Sequence, residues 1–418
     1  MDINLLNKKQ KEAVLDVGGP MLVFAGAGSG KTRVLTYKIA HLIESAGLPP
    51  ENILAVTFTN KAAQEMKSRI HELVDNNLKG ITIGTFHSIG AMILRREISK
   101  IGWNSDFTIY DQTDSKALVK SIIKDLNLDL KIYNPKSVLI KISLSKNNIQ
   151  SPKDLSSAAL NINEEKIAQI YTEYEARLRK NNSVDFDDLL VKPLLIFEQY
   201  PNVLEYYRNK FQYVLVDEYQ DTNKPQFNFI YYLTKIKQDI FVVGDDDQSI
   251  YGWRGADIAN ILNFKTSYIN ARIVKLEQNY RSTKNILDAA WSVVSRNTNR
   301  AEKKLWTDNK TGDKINLIQG YNEKDEARKI IEHISKVKNK ENSTYNKFLI
   351  LYRTNAQSRV IEDTLIKNGI LYNIIGGVKF YDRKEVKDLL AYMRIIVNPN
   401  DRISFERIIN FPPRGIGK

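Results

Sequence analysis

The sequence is poor in the side chains that form covalent cross-links and soft-metal sites. It contains no cysteine and only four histidines in 418 residues. The absence of cysteine excludes disulfides, thiolate metal ligands and a cysteine nucleophile, and it fits a reducing cytoplasm. Four scattered histidines predict no structural zinc site. We therefore expect a cytoplasmic protein whose chemistry relies on other side chains.

Long apolar runs are absent too. The first nine residues, MDINLLNKK, contain no apolar signal-peptide core. No window approaches the roughly 18 uninterrupted apolar residues that a membrane span needs. The sequence therefore predicts neither export nor membrane insertion.

Acidic residues are outnumbered by basic ones. The chain has 62 Lys and Arg against 49 Asp and Glu, which gives a net charge of +13. This excess favours a polyanionic partner such as nucleic acid, and a basic surface without such a partner is the alternative. With 418 residues, 42% of them hydrophobic, the chain can build two or more compact cores.

A glycine-rich stretch, AGAGSGKT over residues 25–32, follows the apolar run Met21–Phe24 and precedes a helical apolar pattern. Strand, glycine-rich turn and helix form the context of a phosphate-binding loop, in which backbone N–H groups converge on an anion. Lys31 would meet the β- and γ-phosphates, and the Thr32 hydroxyl would bind Mg²⁺. The generic pattern has glycine at the position of Ala25, and an ordinary strand-to-helix turn is the alternative.

Two adjacent carboxylates, Asp217 and Glu218, follow the apolar run 214–216. A magnesium–nucleotide site needs one carboxylate for the metal and a second group that orients and deprotonates the attacking water. Asp217 is the candidate for the first task and Glu218 for the second. An acidic loop without this chemistry is the alternative.

A third polar segment, residues 243–257, also begins at the end of an apolar run. The Gln248 amide can sense a γ-phosphate, while Tyr251, Trp253 and Arg254 offer flat faces on which bases could stack. The alternative for Trp253 is core packing, although neighbouring glycines favour a loop. One segment could thus touch both a nucleotide and a nucleic acid.

Apolar runs typical of strands alternate with helical stretches, which predicts an α/β fold with a parallel, doubly wound sheet. The runs lie at 21–24, 54–58, 81–83, 213–216 and 240–243. Residues 92–184 form a predicted helical insert, whose lysines at 120, 124, 131, 136, 141 and 146 indicate either a solvated face or a nucleic-acid path. A second α/β set is predicted from strands at 315–318, 348–352 and 371–375 and a helix near 325–337.

In their order along the chain, these motifs resemble those of the superfamily 1 DNA helicases of the UvrD/PcrA/Rep type. The resembling stretches are 6–10, AGAGSGKT, TFTNKAA (57–63), GTFHS (84–88), DFDDLL (185–190), VDEYQDTN (216–223), VGDDDQSIYGWRGAD (243–257), QNYRST (278–283) and YRTN (352–355). Each motif alone is weak, but together in this order they are specific. Alanine at position 25 is also typical of this family.

The resemblance implies two RecA-like P-loop cores with parallel sheets, the first carrying a helical insert and the second incomplete. The implied domains are a first core (1–91 and 185–278), its insert (92–184), the first part of a second core (279–376) and the start of a truncated second insert (377–418). Because residue 418 falls just inside that second insert, we expect the C-terminal motifs of the family to be missing.

The resemblance also assigns roles to individual residues. Gln10 would read the adenine edge, Tyr280 would stack on its face, and Arg281 would reach the γ-phosphate as an arginine finger, beside Glu218 and Gln248. Further nucleotide contacts would come from Ala27, Gly28, Ser29, Gly30, Lys31, Thr32 and Arg33, with Thr32 and Asp217 on the metal. Single-stranded DNA would run along Phe58, Thr59, Asn60, Thr85, His87, Phe186, Tyr251, Trp253 and Arg254. A structural loop role is the alternative for His87, and a buried strand position is the alternative for Phe58.

The implied function is movement along single-stranded DNA driven by ATP and Mg²⁺. Movement would run 3′ to 5′ and separate the duplex at single/double-strand junctions, in repair or replication and with proteins of those pathways. The alternative from another class is a fragment that binds ATP and DNA without productive motor activity. An RNA helicase is a third interpretation.

Overall fold

The computed structural model describes residues 1–74, 78–298, 300–375 and 383–416, and the side chain of Arg254 lies outside this description. The chain divides into two compact units, one comprising Met1–Gly312 and Ala391–Lys418, the other Asp313–Leu390. Among the helices of the described ranges, none combines the length and the apolar character that crossing a membrane requires.

The regular elements are numbered in chain order. The strands are β1 (Met21–Ala25), β2 (Ile53–Thr57), β3 (Thr82–Thr85), β4 (Thr108–Ile109), β5 (Ser183–Val184), β6 (Tyr213–Val216), β7 (Ile240–Gly244) and β8 (Arg272–Leu276). The α-helices are α1 (Lys8–Leu15), α2 (Lys31–Glu44), α3 (Asn60–Leu73), α4 (Phe86–Glu97), α5 (Gln112–Asp125), α6 (Pro135–Asn147), α7 (Pro152–Ser157), α8 (Ile162–Lys180), α9 (Asp188–Gln199), α10 (Pro201–Lys210), α11 (Lys224–Thr234), α12 (Ala259–Leu262), α13 (Phe264–Ser267), α14 (Lys284–Val294), α15 (Glu323–Lys340), α16 (Asn355–Lys367), α17 (Lys384–Val397) and α18 (Arg402–Ile408).

A six-stranded parallel sheet forms the centre of the first unit, with strand order β3-β2-β6-β7-β1-β8. Successive side chains point to opposite faces, so Leu22 and Val214 pack in one core while Val23 and Leu215 pack in another. Helices cover both faces, and the central strands are therefore continuous apolar runs. Parallel strands end at the same edge, where the segments after β1, β6 and β7 meet.

The α/β class predicted from the sequence is confirmed. Each of the five predicted runs falls on a strand of this sheet, namely β1, β2, β3, β6 and β7. The edge strand β8 was not predicted, because Arg272, Ile273 and Lys275 are exposed and only two of its five residues are buried. An edge strand with one solvated face gives a weak apolar signal.

The predicted insert, residues 92–184, is mostly helical. Helices α5, α6 and α8 enclose a core of their own that includes Ile122, Ile142 and Tyr174. A two-stranded parallel sheet joins β4 to β5, with Thr108 opposite Ser183. Strands of two residues carry no recognisable alternation, so this sheet was not predicted.

Lys146 differs from the other insert lysines, and both interpretations of it as an exposed residue were wrong. Its side chain is 2% exposed, and its Nζ lies 2.7 Å from Asp185 Oδ2 and 2.8 Å from Asp188 Oδ1. Glu175 Oε1 lies 2.6 Å away. Burying an ammonium group is costly unless opposite charges compensate it, and three carboxylates do so here.

The second unit contains α15 and α16, which pack around Ile331, Leu365 and Ile370. The helix predicted near 325–337 is confirmed within α15. The three strands predicted in this region were wrong, because residues 315–318, 348–352 and 371–375 form no strand. Apolar runs become strands only where a neighbouring strand completes the hydrogen-bond ladder, and Leu317 and Leu371 are instead 97% and 94% exposed.

Candidate functional site

The glycine-rich loop joins the end of β1 to the first residue of α2. Gly28 has φ 69° and Gly30 has φ 93°, and this left-handed backbone is open to glycine at little cost. Gly30 stands at the N-cap of α2, where no side chain caps the helix. The first turn of α2, with Lys31 and Thr32, therefore presents its N–H groups and partial positive charge at the sheet edge.

The two predicted acids lie beside this loop, directly after β6. The Lys31 Nζ is 3.2 Å from Glu218 Oε2. Asp217 is buried, and burial together with the neighbouring Glu218 raises its pKa to about 7, although Lys31 opposes the shift. Burial and Glu218 also raise the pKa of Asp221 to about 6. The carboxylates therefore share one basic side chain, and a further cation next to Asp217 would stabilise its charged form.

Gln220, which the sequence interpretation did not single out, connects Glu218 to the end of β7. Its Nε2 donates to Glu218 Oε2 at 3.0 Å, and its Oε1 accepts from the backbone N–H of Asp245 at 2.9 Å. Asp245 in turn accepts a hydrogen bond from the Gln248 side-chain amide through Oδ2. Glu218 and Gln248 are thus connected by hydrogen bonds through Gln220 and Asp245. The strands that precede these residues, β6 and β7, also pair with each other.

The segment with Tyr280 and Arg281 lies against the glycine-rich loop. Asn279 Nδ2 donates to Ala27 O at 2.6 Å, and the Tyr280 N–H donates to Gly28 O at 2.9 Å. A Cβ at position 28 would lie 2.6 Å from Asn279 Nδ2 and 2.7 Å from Arg281 Cβ. Gly28 is therefore required by this close approach as well as by its φ, and Arg281 lies next to the loop.

Gln10 and Tyr280, the candidates for adenine contact, flank the same loop. Gln10 is 1% exposed, its Nε2 donates to Ser29 O at 2.9 Å, and its Oε1 accepts from the Asn7 N–H at 3.0 Å. The Tyr280 ring is 48% exposed, and its hydroxyl accepts from Asn7 Nδ2 at 2.7 Å. Gln10 therefore holds the loop through its hydrogen bond to Ser29, while Tyr280 remains about half exposed to solvent. Ser29 is itself buried and Arg33 is exposed.

Two threonines proposed for the nucleic-acid path have structural tasks. Thr59 accepts from the Ala62 N–H at 3.1 Å and caps α3, and Thr85 accepts from the Ser88 N–H at 3.2 Å and caps α4. Asn60 at the start of α3 is exposed. Both caps fix the ends of β2 and β3 at the edge that also carries the loop.

Aromatic side chains proposed for the same path form two pairs. The His87 and Phe186 rings stack with centroids 3.9 Å apart, and Phe186 is 57% exposed. The Tyr251 and Trp253 rings lie 6.4 Å apart. Trp253 is 73% exposed, which contradicts core packing for this residue. Partly buried Phe58 instead packs edge-on against another ring of the core, Phe86, at 5.6 Å.

His87 is neutral over the physiological range. Burial lowers the pKa of its imidazole to about 4. A neutral ring can stack on Phe186 and on a base without adding charge. Arg254 was also proposed for this path, and its side chain lies outside the described residues.

Sequence interpretation missed the burial of two lysines, each surrounded by three carboxylates. Lys146 lies among Glu175, Asp185 and Asp188, next to Phe186. Lys303 lies among three aspartates, Asp245 to Asp247. No local pattern relates a lysine to carboxylates roughly 30 to 60 positions away, and no sequence signal could have identified either one.

Comparisons with known proteins match the chain to two family domains. The UvrD/REP helicase N-terminal domain matches residues 6–269, and the UvrD-like helicase C-terminal domain matches residues 274–418. The ATP-dependent DNA helicase PcrA of Staphylococcus epidermidis (strain ATCC 35984) is 50% identical over 412 residues, which is 99% of this chain and 56% of that protein. PcrA of Staphylococcus aureus (strain Mu50) is 49% identical over 415 residues, with 99% and 57% covered. The chain thus spans about half the length of the curated relatives it matches.

The expectation that the chain lacks the C-terminal motifs of the family was wrong. Residues 274–418 match the UvrD-like helicase C-terminal domain, so the chain carries sequence from both family domains. The expectation relied on short motifs, whereas the match extends over the whole of this stretch. The alternative of an unproductive fragment, which rested on those missing motifs, loses its support.

Proposed function

The chain belongs to the UvrD/REP helicase family, and from this premise we propose that it is an ATP-driven DNA helicase. The observation that carries the proposal is the meeting of three separate segments at one sheet edge. Lys31 lies in contact with Glu218, and Asn279 anchors the Arg281 segment to the phosphate loop. Loop lysine, acid and arginine are the parts that phosphoryl transfer from ATP requires.

The nucleotide would lie on the loop formed by residues 27–33. Backbone N–H groups of the loop and of the first turn of α2 would bind the phosphates, with Lys31 on the β- and γ-phosphates. The exposed ring of Tyr280 would stack on the adenine, and Gln10 would contact its edge. Arg281 would stabilise the negative charge that develops on the transferred phosphoryl group.

Magnesium fits the donor set of this site. Thr32 supplies a hydroxyl and Asp217 a carboxylate, and oxygen ligands are those that Mg²⁺ prefers. Asp217 is buried with a raised pKa, so its carboxylate lacks full charge compensation from the protein. The bound metal would supply charge neutralisation for the phosphates. Glu218 would take the proton of the attacking water, and Gln248 would orient the reacting groups.

Single-stranded DNA would pass over the aromatic pairs His87–Phe186 and Tyr251–Trp253. The exposed residues of these pairs, Phe186 and Trp253, suit stacking with any base, and base–aromatic stacking is worth about 1–3 kcal/mol per base. Thr59, Asn60, Thr85, Phe58 and Arg254 complete the proposed path, and the role of Arg254 rests on the sequence alone. The net charge of +13 favours the DNA backbone as partner. We propose single/double-strand junctions as substrate, and repair or replication proteins in the cytoplasm as partners.

The domain division also remains a proposal. It assigns 1–91 with 185–278 to the ATP-binding core, 92–184 to its insert, 279–376 to the first part of the second core and 377–418 to the start of a second insert. The separate hydrophobic core of α5, α6 and α8 supports the insert as a unit.

The experiment is an ATPase assay without nucleic acid, with single-stranded DNA and with RNA, together with displacement of a labelled strand from a partial duplex. We expect hydrolysis that DNA stimulates more than RNA does, and strand displacement that needs ATP. Lys31→Ala, which removes the phosphate-binding charge, is the control for contaminating activity. Hydrolysis by the parent chain at the Lys31→Ala rate would contradict the proposal, as would stimulation by RNA alone.

A further inference from the structure

The ammonium group of Lys303 occupies the centre of three successive aspartates. Its Nζ lies 2.9 Å from Asp245 Oδ1 and 2.9 Å from Asp247 Oδ2, and it also contacts Asp246 Oδ1. The side chain is 2% exposed. Burial opposes the charge, but the three carboxylates outweigh it and raise the pKa of Lys303. The three carboxylates lie close enough together to suit a metal ion, yet a lysine of the same chain already neutralises them.

Two residues shortly before Lys303 in the sequence form hydrogen bonds with two of these aspartates. Arg300 donates two hydrogen bonds to Asp247, from Nε to Oδ1 at 3.0 Å and from Nη2 to Oδ2 at 2.8 Å. The Ala301 N–H donates to Asp246 Oδ2 at 2.6 Å. Asp245 forms its ion pair with this segment through Lys303, while Arg300 acts on it only through the longer-range attraction of the two charges. Lys303 is therefore the residue of the segment whose charged group contacts Asp245 directly.

Asp245 is hydrogen-bonded both to Gln248 and to Gln220, and these two residues lead to the proposed catalytic groups. Its Oδ2 accepts from the Gln248 side-chain amide, and its backbone N–H donates to Gln220 Oε1 at 2.9 Å. Gln220 donates to Glu218 Oε2 at 3.0 Å. The carboxylate bound by Lys303 therefore fixes the Gln248 amide directly and connects to Glu218 through one side chain.

The Lys303 segment is also paired with the segment of Arg281. The Trp306 N–H donates to Glu277 O at 3.0 Å, and the Asn279 N–H donates to Trp306 O at 2.8 Å. Asn279 is the residue that donates to Ala27 O in the phosphate loop. Lys303 therefore binds the aspartates that follow β7. Trp306, three residues further along, pairs with the segment that carries Arg281 to the phosphate loop.

We propose that Lys303 is a positioning residue for ATP hydrolysis, which holds Asp245 so that Gln248 and Glu218 face the phosphate loop in register with Arg281. This inference rests on the proposed ATPase function. The Lys303 side chain is 2% exposed and its ammonium is engaged by three aspartates, so it acts through Asp245. It should therefore affect the rate of the chemical step much more than the binding of ATP.

The test is a double-mutant cycle on Lys303→Met and Gln248→Ala, read as kcat and KM of ATP hydrolysis without DNA. Misplacement of catalytic groups by about 1 Å costs about 10²-fold in rate, so we expect that loss in kcat for Lys303→Met with little change in KM. Because both changes disable the Gln248 amide, the loss in the double variant should be much smaller than the product of the two single losses. Lys146→Met, which removes another buried lysine away from the phosphate loop, controls for the general cost of such a change.

Folding and turnover are checked separately. If Lys303→Met does not unfold cooperatively, the cycle is repeated on Lys303→Met/Asp246→Asn, which removes one buried negative charge together with the ammonium. Amide hydrogen exchange at residues 245–250 needs no turnover, and we expect it to become faster in the Lys303 variant than in Lys146→Met.

An inactive parent chain would contradict the proposed function, and the exchange measurement would still test the positioning role. Unchanged exchange at 245–250, an unchanged kcat, or effects of the two substitutions that multiply would each overturn the inference.

Discussion

Lys31 Nζ and Glu218 Oε2 are 3.2 Å apart, so the phosphate-loop lysine and the proposed general base are in direct ionic contact. The phosphates of a nucleotide would draw the ammonium of Lys31 away from this carboxylate. The contact therefore links occupancy of the loop to the charge environment of the base. Removing the charge of Glu218 should have separate effects on binding and on chemistry.

The first prediction concerns Glu218→Gln. Glutamine keeps the shape and the hydrogen-bonding capacity but cannot accept the proton of the attacking water. A general base contributes about 10²–10⁴-fold, so we expect a loss of that size in kcat. Binding of a fluorescent ATP analogue should be retained, because Lys31 no longer has to leave a carboxylate. Hydrolysis at the parent rate would show that Glu218 is not the base.

The second prediction concerns Trp253, whose indole is 73% exposed beside Tyr251. Trp253→Ala should weaken binding of single-stranded DNA by about 1–3 kcal/mol, because one stacking platform is lost. The affinity for ATP should stay unchanged. Tyr321→Ala is the matched control, since this ring is 96% exposed but lies outside the proposed path. Equal losses of DNA affinity in the two variants would remove Trp253 from the path.

The third prediction concerns the pH dependence that His87 adds to stability. The folded-state pKa is about 4, below the ordinary value of 6.5, so between these values the unfolded chain binds more protons than the folded chain. The contribution of His87 to the free energy of unfolding is therefore complete above pH 6.5 and decreases as the pH falls toward 4. An NMR titration of the imidazole should show a midpoint near pH 4.

Phe186→Ala tests whether burial is the cause of the low pKa of His87. Loss of the stacked ring opens His87 to water, so the midpoint should move up toward 6.5. The difference in the free energy of unfolding between pH 7 and pH 5 should then become smaller than in the parent chain. A midpoint near 6.5 in the parent chain would contradict burial as the cause.

The fourth prediction concerns the ion cluster around Lys146. Burial opposes the charge of this lysine, but Asp185, Asp188 and Glu175 raise its pKa well above the ordinary value. Lys146→Met leaves Asp185 without its lysine, while Lys192 still pairs with Glu175 and Asp188. Breaking a buried ion pair costs about 3–5 kcal/mol, and we expect a loss at the lower end of this range. Lys141→Met changes an exposed lysine on the same helix and should shift the free energy of unfolding by less than about 0.5 kcal/mol. The free energies of unfolding of both variants are measured by denaturant unfolding. Equal losses in the two variants would contradict a structural role for the ion cluster around Lys146.

Contiguous features of the site could be predicted from the sequence. The phosphate loop needs Gly28, Gly30 and Lys31 within a few residues between a strand and a helix, and local chemistry dictates this pattern. The pair Asp217–Glu218 is recognisable for the same reason, since it directly follows an apolar strand. The central strands were also predictable, because burial on both faces makes them continuous apolar runs.

Tertiary structure decided which distant residues meet. Lys303 and Lys146 resemble surface lysines in the sequence, and only folding brings each one against three carboxylates. The second unit gives the opposite case, since the apolar runs 315–318, 348–352 and 371–375 look like strands but form none. A strand is a property of paired segments, and a buried charge is a property of its surroundings, so neither is encoded in a local stretch of sequence.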